Sequence, residues 1–195
     1  MGKKFKKIKI LALIVVLFFA FILFPKPSEV DKFYPNNTSL AFQNLLKNDE
    51  YQVFVFDTPL NYPINFARHP WFVLNEKGKV SRWEVRMESA KNGNHLRIDF
   101  WSPFQAMHLT FFGLTDYTWK PELLGVIDGG ENSEAQRIIK FIKDSPENYP
   151  YQYRYSIFGP NSNSYLEWVL NKFPELNIEP SWRFVGKDFK IEERK

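Results

Sequence analysis

The sequence predicts an α+β fold: one antiparallel sheet with two or three helices packed on it, after one N-terminal transmembrane helix. Three observations predict it. An uninterrupted apolar run, Ile10 to Phe24, follows a cluster of lysines. Between His69 and Phe112, short runs of alternating apolar and polar residues are separated by turn residues, the pattern of half-buried strands. Two later segments, around Ala135 to Ile142 and Leu166 to Phe173, repeat apolar residues every three or four positions, the period of a helix with one buried face.

Lys3, Lys4, Lys6, Lys7 and Lys9 precede the apolar run, and Pro25-Lys26-Pro27 ends it. As a helix the run spans roughly 22 Å, short of the ~30 Å hydrocarbon core of a bilayer. Snorkelling Lys9 and Lys26 or local thinning would make up the difference. A cleaved signal peptide has a similar start but ends in small residues, whereas Phe21-Ile22-Leu23-Phe24 is bulky throughout. A buried core helix gives no reason for five flanking lysines. The expected organisation is a membrane anchor over residues 1–27, a linker over 28–38 and a single globular domain over 39–195. The positive-inside rule places the N-terminus in the cytoplasm and the domain outside it. The expected localisation is therefore single-pass in the cytoplasmic membrane, with the membrane as a partner.

Composition narrows the function. Hydrophobic residues make up 44% of the 195, with 20 phenylalanines, enough to fill a core, so the body of the chain is not disordered. The net charge of +4 drops to −1 without the five leading lysines, which leaves no footprint for nucleic acid. There is no cysteine, which excludes disulfides, thiolate metal sites and a catalytic thiol. His69, His95 and His108 lack the spacing of a metal motif, and no metal or cofactor is implied.

Along the domain, Ser39 caps a short helix with Leu40, Phe42, Leu45 and Leu46 as its apolar side. Gln52 to Phe56 reads as a strand. His69 to Leu74 and Val80 to Met87 form a hairpin about Glu76-Lys77-Gly78-Lys79. His95 to Trp101 and Ala106 to Phe112 continue an antiparallel meander. Ser133-Glu134-Ala135-Gln136 matches a capping box and starts a helix that Asp144-Ser145-Pro146 stops. Tyr151 to Phe158 reads as extended, Asn163 to Phe173 as a helix, and Phe184-Val185 as a last strand.

The most unusual local feature is Gly159-Pro160-Asn161-Ser162-Asn163-Ser164-Tyr165, which places four small polar residues at the start of a helix. One would suffice as an N-cap. The alternative is a nucleophile at a helix N-terminus, where the unpaired N–H groups favour a developing oxyanion. That run, the later Leu166-Glu167-Trp168-Val169, Phe173-Pro174-Glu175-Leu176 and Val185-Gly186-Lys187-Asp188-Phe189, together with Arg68-His69-Pro70-Trp71 and Arg82-Trp83-Glu84-Val85, resembles an uncharacterised bacterial family, domain of unknown function 3750. The resemblance spans most of residues 50–190, with departures at Ser164, Tyr165 and Phe189, and implies membership without an activity.

A second resemblance is to circularly permuted papain-like hydrolases, in which an early strand carries the His and a late helix start carries the nucleophile. Ser162 stands where those enzymes have Cys, and a serine needs a base more than a cysteine does. This implies a cell-envelope hydrolase or acyl transferase acting on an amide or ester bond. Ser162 would be the nucleophile, His69 the general base and Glu84 its orienting group. Asn161 and Asn163 would bind at the oxyanion site, and Arg82 would hold an anionic group. The alternative is a non-catalytic envelope module that binds wall, lipid or a protein partner through the same cleft. Each residue also has a plainer reading: Ser162 as part of a cap, His69 as a half-buried hydrogen-bonder, Glu84 as an exposed strand residue, and Arg82 paired with a neighbouring acid.

Overall fold

The structure is a computed structural model that describes residues 9, 13–14, 30–32, 40–109 and 117–192. In chain order the elements are β1 (Val30–Lys32), α1 (Leu40–Gln43), β2 (Tyr51–Pro59), β3 (Arg68–Glu76), β4 (Lys79–Val85), β5 (Leu96–Ile98), β6 (Tyr117–Trp119), β7 (Glu122–Gly129), α2 (Glu134–Lys143), α3 (Ser145–Asn148) and α4 (Ser162–Lys172). A 3-10 turn over Pro174–Leu176 follows α4.

Five strands form one antiparallel sheet in the order β5-β4-β3-β2-β7, and β1 pairs with β6 in a separate two-stranded ribbon. The α+β reading with an antiparallel sheet and packed helices stands. The transmembrane part of that reading is corrected. Among the described residues no helix is long and apolar enough to cross a membrane. Of the Ile10 to Phe24 run only Leu13 and Ile14 are described, both helical and exposed; the rest of it lies outside the described residues. The single-pass topology, the membrane partner and the localisation drawn from that run are therefore not carried forward.

The hairpin is the best-read element. β2, β3 and β4 are long because Val53, Phe54, Val55, Phe56, Trp71, Phe72, Val73 and Leu74 are apolar on both faces and both faces are covered. Val55 lies opposite Phe72, and Phe72 opposite Trp83, so these residues share one face of the sheet. That helix face also carries Val53, Leu74 and Val85, and packs against Ile138, Ile139 and Ile142 of α2 and Tyr165, Leu166 and Val169 of α4. Phe54, Phe56, Trp71 and Val73 point the other way, into a second cluster with Phe104, Ala106, Leu109 and Trp119. Each fully buried large apolar side chain contributes roughly 1.5–3 kcal/mol.

Several boundaries differ from the sequence reading. The strand expected over His95 to Trp101 shortens to Leu96–Ile98 because Asp99 takes φ +50° and accepts the Arg82 N–H through its side chain at 2.6 Å. The strand expected from Ala106 to Phe112 is irregular through Leu109, with one bridge at His108, and residues 110–116 lie outside the described part. Tyr151 to Phe158 forms turns, and Phe184-Val185 lies in turns, not in a strand. Ser39 lies outside the described residues, and the helix after it ends at Gln43. At α2, Ser133 Oγ accepts from the Gln136 N–H at 3.3 Å, but Gln136 Oε1 accepts from Asn132, one residue before the expected partner. The strand β7 was not foreseen. It pairs with β2 and makes the sheet's other edge, so the sheet is more than a meander.

Candidate functional site

β3 and β4 bring together a buried polar cluster on the sheet face opposite the helices. The sequence Arg82-Trp83-Glu84-Val85-Arg86 alternates strictly, so Trp83 and Val85 enter the helix-side core and Arg82, Glu84 and Arg86 project from the other face. His69 is two residues before Trp71 and shares that face, its ring stacked on the indole at 6.5 Å and 24°. Arg82 and Glu84 are sealed from solvent at 0% and 1% exposure, and His69 and Arg86 are nearly so.

Glu84 is the hub. Its Oε1 accepts from Arg82 Nε at 2.9 Å, and its Oε2 accepts from Arg82 Nη2 at 3.0 Å and from His69 Nε2 at 2.8 Å. Arg86 Nη1 approaches the same oxygen at 3.6 Å. The fork of Arg82 on the carboxylate is the bidentate geometry in which a guanidinium binds most strongly. Burial pushes the Glu84 carboxyl up, but Arg82 and the His69 hydrogen bond outweigh it and hold the group well below the usual carboxylate range. Burial pushes His69 down, and Arg86 and Arg82 add to that against the pull of Glu84, so the ring is neutral at pH 7. A neutral ring beside an ionised carboxylate donates from Nε2, which leaves the Nδ1 lone pair free; Nδ1 has no hydrogen bond among the described residues.

Arg82, expected to hold an anionic group, is engaged by partners inside the protein. Besides its fork on Glu84, its Nη1 donates to the carbonyls of Ser102 and Gln105, and its guanidinium lies 4.3 Å from the Trp71 ring centroid and 5.5 Å from that of Trp101. It ties the 102–105 loop to the sheet. Arg86 was not singled out by the sequence reading and is the less satisfied of the two. Nη2 donates to the exposed Glu88 at 3.1 Å, while Nε and Nη1 are buried without a hydrogen bond. Its guanidinium packs 4.0 Å from the Trp101 centroid and 4.8 Å from that of Phe100. The signal was present in the i, i+2 spacing of Arg82, Glu84 and Arg86. A buried Asp57–Arg68 ion pair on the helix face, with Glu122 as a second partner, was also missed.

No hydrogen bond joins Ser162 to His69 among the described residues. Ser162 opens α4, and α4 packs on the helix face, with Tyr165 edge-on to Phe72 at 5.8 Å. His69 leaves the sheet on the other face. No hydrogen bond joins Ser162 Oγ to any group among the described residues, although the residue is only 4% exposed.

The other small polar residues of that run form a structural lock. Asn161 is the N-cap: its Oδ1 accepts from the Asn163 and Ser164 N–H groups at 2.9 and 3.2 Å. Its Nδ2 donates to the carbonyls of Ile157 and Val185, and Asn163 Nδ2 donates to Val185 as well. Ser164 Oγ donates to the Gly186 carbonyl at 2.6 Å and accepts from the Asn161 N–H, completing a capping box. Asn163 Oδ1 is buried with no partner. Gly186 has φ +92°, and a Cβ there would stand 2.5 Å from Asn161 Nδ2. The Asn161–Ser164 run and the Val185-Gly186 pair are thus two halves of one contact, which accounts for both motifs. Among the described residues no group of three or more His, Asp or Glu could hold a metal ion.

A family model described as "Protein of unknown function (DUF3750)" matches residues 50–189. The chain belongs to this family. The DUF3750 match takes in the His69–Glu84 cluster, the lock at the start of α4 and its partner segment through Phe189. No curated protein and no solved structure matches the chain, so the likeness to papain-like hydrolases rests on sequence pattern alone.

Proposed function

We propose that this chain is a non-catalytic binding module and that its Ser162 is not the nucleophile of a Ser–His hydrolase. The observation that supports this reading is that His69 bonds Glu84 on one face of the sheet, α4 packs its buried stripe on the other, and no hydrogen bond joins Ser162 Oγ to any described group. A serine hydroxyl is a weak nucleophile without a base within hydrogen-bond reach. The side-chain amides expected at the oxyanion site are otherwise engaged, with Asn161 and Asn163 both donating to the Val185 carbonyl. Glu84 and Arg82 in turn neutralise each other inside the sheet cluster.

A hydrolytic reading retains one observation in its favour, the unpartnered Nδ1 of a neutral, carboxylate-oriented His69. In that reading His69 would activate a water and Ser162 would be uninvolved. One experiment separates the alternatives. The full chain is treated with a fluorophosphonate serine probe and assayed on p-nitrophenyl acetate, alongside Ser162→Ala and His69→Gln. The binding reading expects no labelling of Ser162 and no turnover above that of the two variants. Turnover lost in His69→Gln but kept in Ser162→Ala would favour the water mechanism. Labelling of Ser162 that depends on His69 would overturn the binding reading.

A further inference from the structure

An open cleft lies away from the His69 cluster. It lies between the C-terminal end of α2, α3, the outer side of α4 and the segment 187–191, with a volume of about 530 Å³. That is within the range of small-ligand sites, roughly 300–1,000 Å³. The lock described above holds its far wall in place, because the Val185-Gly186 pair leads directly into Lys187 to Ile191.

Three features of the lining define what fits. First, its charges balance: Glu147, Glu167 and Asp188 face Lys172, Lys187 and Lys190, so the cleft selects neither anions nor cations. Second, planar polar groups line it without committed partners. The side-chain amides of Asn148 and Asn171, the carboxylates of Glu147 and Glu167 and the indole N–H of Trp168 make no hydrogen bond among the described residues. Amides and carboxylates each present two adjacent polar atoms, which suits vicinal hydroxyl groups. Third, rings line the same cleft. Trp168 is held rigid by Phe141 at 4.3 Å and Tyr149 at 5.3 Å, and Phe189 by Tyr151 at 5.2 Å. Such rings offer apolar surface to the C–H face of a sugar. Burial pushes the Glu167 carboxyl up despite Lys187, a sign that the cleft already desolvates its polar groups. Two of the walls, α2 and α4, are helices whose backbone groups bond internally, and no strand of the sheet lines the cleft.

We propose that this cleft seats an uncharged polyhydroxylated ligand, a short oligosaccharide, an inference that rests on the binding-module reading above. The test is a titration of the ¹⁵N-labelled full chain with triacetylchitotriose and with maltotriose, read by amide and indole NMR shifts. Saturable shifts of the Asn148 and Asn171 side-chain amides and the Trp168 indole are expected with at least one of them. Asn148→Leu/Asn171→Leu should weaken that binding about tenfold, the effect of losing two ordinary hydrogen bonds. Both asparagines are exposed, so this variant keeps the fold, and unchanged backbone shifts elsewhere will verify it. If neither sugar shifts these resonances up to its solubility limit, or if tri-alanine shifts them when the sugars do not, the cleft assignment falls while the absence of Ser162 catalysis is untouched. Appearance of shorter sugars during the titration would keep the cleft assignment and overturn the non-catalytic reading, with Glu147 and Glu167 as the carboxylates to test next.

Discussion

Replacing Glu84 by Gln tests whether the β3–β4 cluster is a dry, charge-balanced structural unit. The amide keeps the shape of the carboxylate but removes the counter-charge that forks Arg82, which is 0% exposed, and a carboxylate 3.6 Å from Arg86. His69 can adapt by switching tautomer and accepting from the new NH₂ group. Arg82 cannot, because its Nη2 donor then meets another donor. Breaking a buried pair by removing one partner costs about 3–5 kcal/mol, a large part of the 5–15 kcal/mol total typical of a domain. For a chain of this size that corresponds to a fall of about 6–20 °C in Tm. The assay is urea unfolding of the full chain at neutral pH, followed by tryptophan fluorescence and far-UV circular dichroism. The double variant Glu84→Gln/Arg82→Met removes both charges and should recover about 1–3 kcal/mol relative to the sum of the singles. A single-variant cost under about 1 kcal/mol, or strict additivity, would refute the picture of a desolvated pair.

The same cluster sets a pH dependence. Because the folded pKa of His69 lies below its ordinary 6.5, the unfolded chain takes up the proton first; the contribution is intact above about pH 6.5 and declines as the pH falls. Glu84, held below its ordinary 4.5, adds a second loss under about pH 4.5. Unfolding free energies from urea titrations between pH 8 and pH 5 should fall by up to ~1.4 kcal/mol per pH unit on the His69 limb, and His69→Gln should flatten that limb. Asn161→Ala removes the N-cap and two bonds to the Ile157 and Val185 carbonyls, a loss of about 2–4 kcal/mol with faster hydrogen exchange at residues 186–189. Ser162→Ala, one residue away, should stay within about 0.5 kcal/mol of the parent because no hydrogen bond is lost.

How far the sequence could be read depended on the range of the interactions involved. The hairpin was legible because its turn residues and its alternation are local, and Lys77 and Gly78 supply the positive φ the turn requires. The α2 and α4 stripes were legible for the same reason. The alternation also put His69 and Glu84 in reach of each other, and the structure places them at 2.8 Å. It could equally have placed Arg86 beside Glu84. β7 was not legible because none of its residues is fully buried and its pairing with β2 spans some seventy residues of chain.

The sequence by itself determined the class of the fold, the family, and the faces that each strand residue could occupy, since side chains alternate on any strand wherever it lies. It also marked Asn161 to Ser164 as a place where polarity was concentrated beyond the needs of one cap. Tertiary structure decided what that concentration is for. Only the return of Val185 and Gly186 to the start of α4 supplies the carbonyls that Asn161, Asn163 and Ser164 bind. Only the packing decides that α4 covers one sheet face while His69 projects from the other. Spacing along the chain fixes direction within an element, but which face of a sheet a helix covers is a choice between two solutions, settled by where the apolar stripes of α2 and α4 find their largest buried surface.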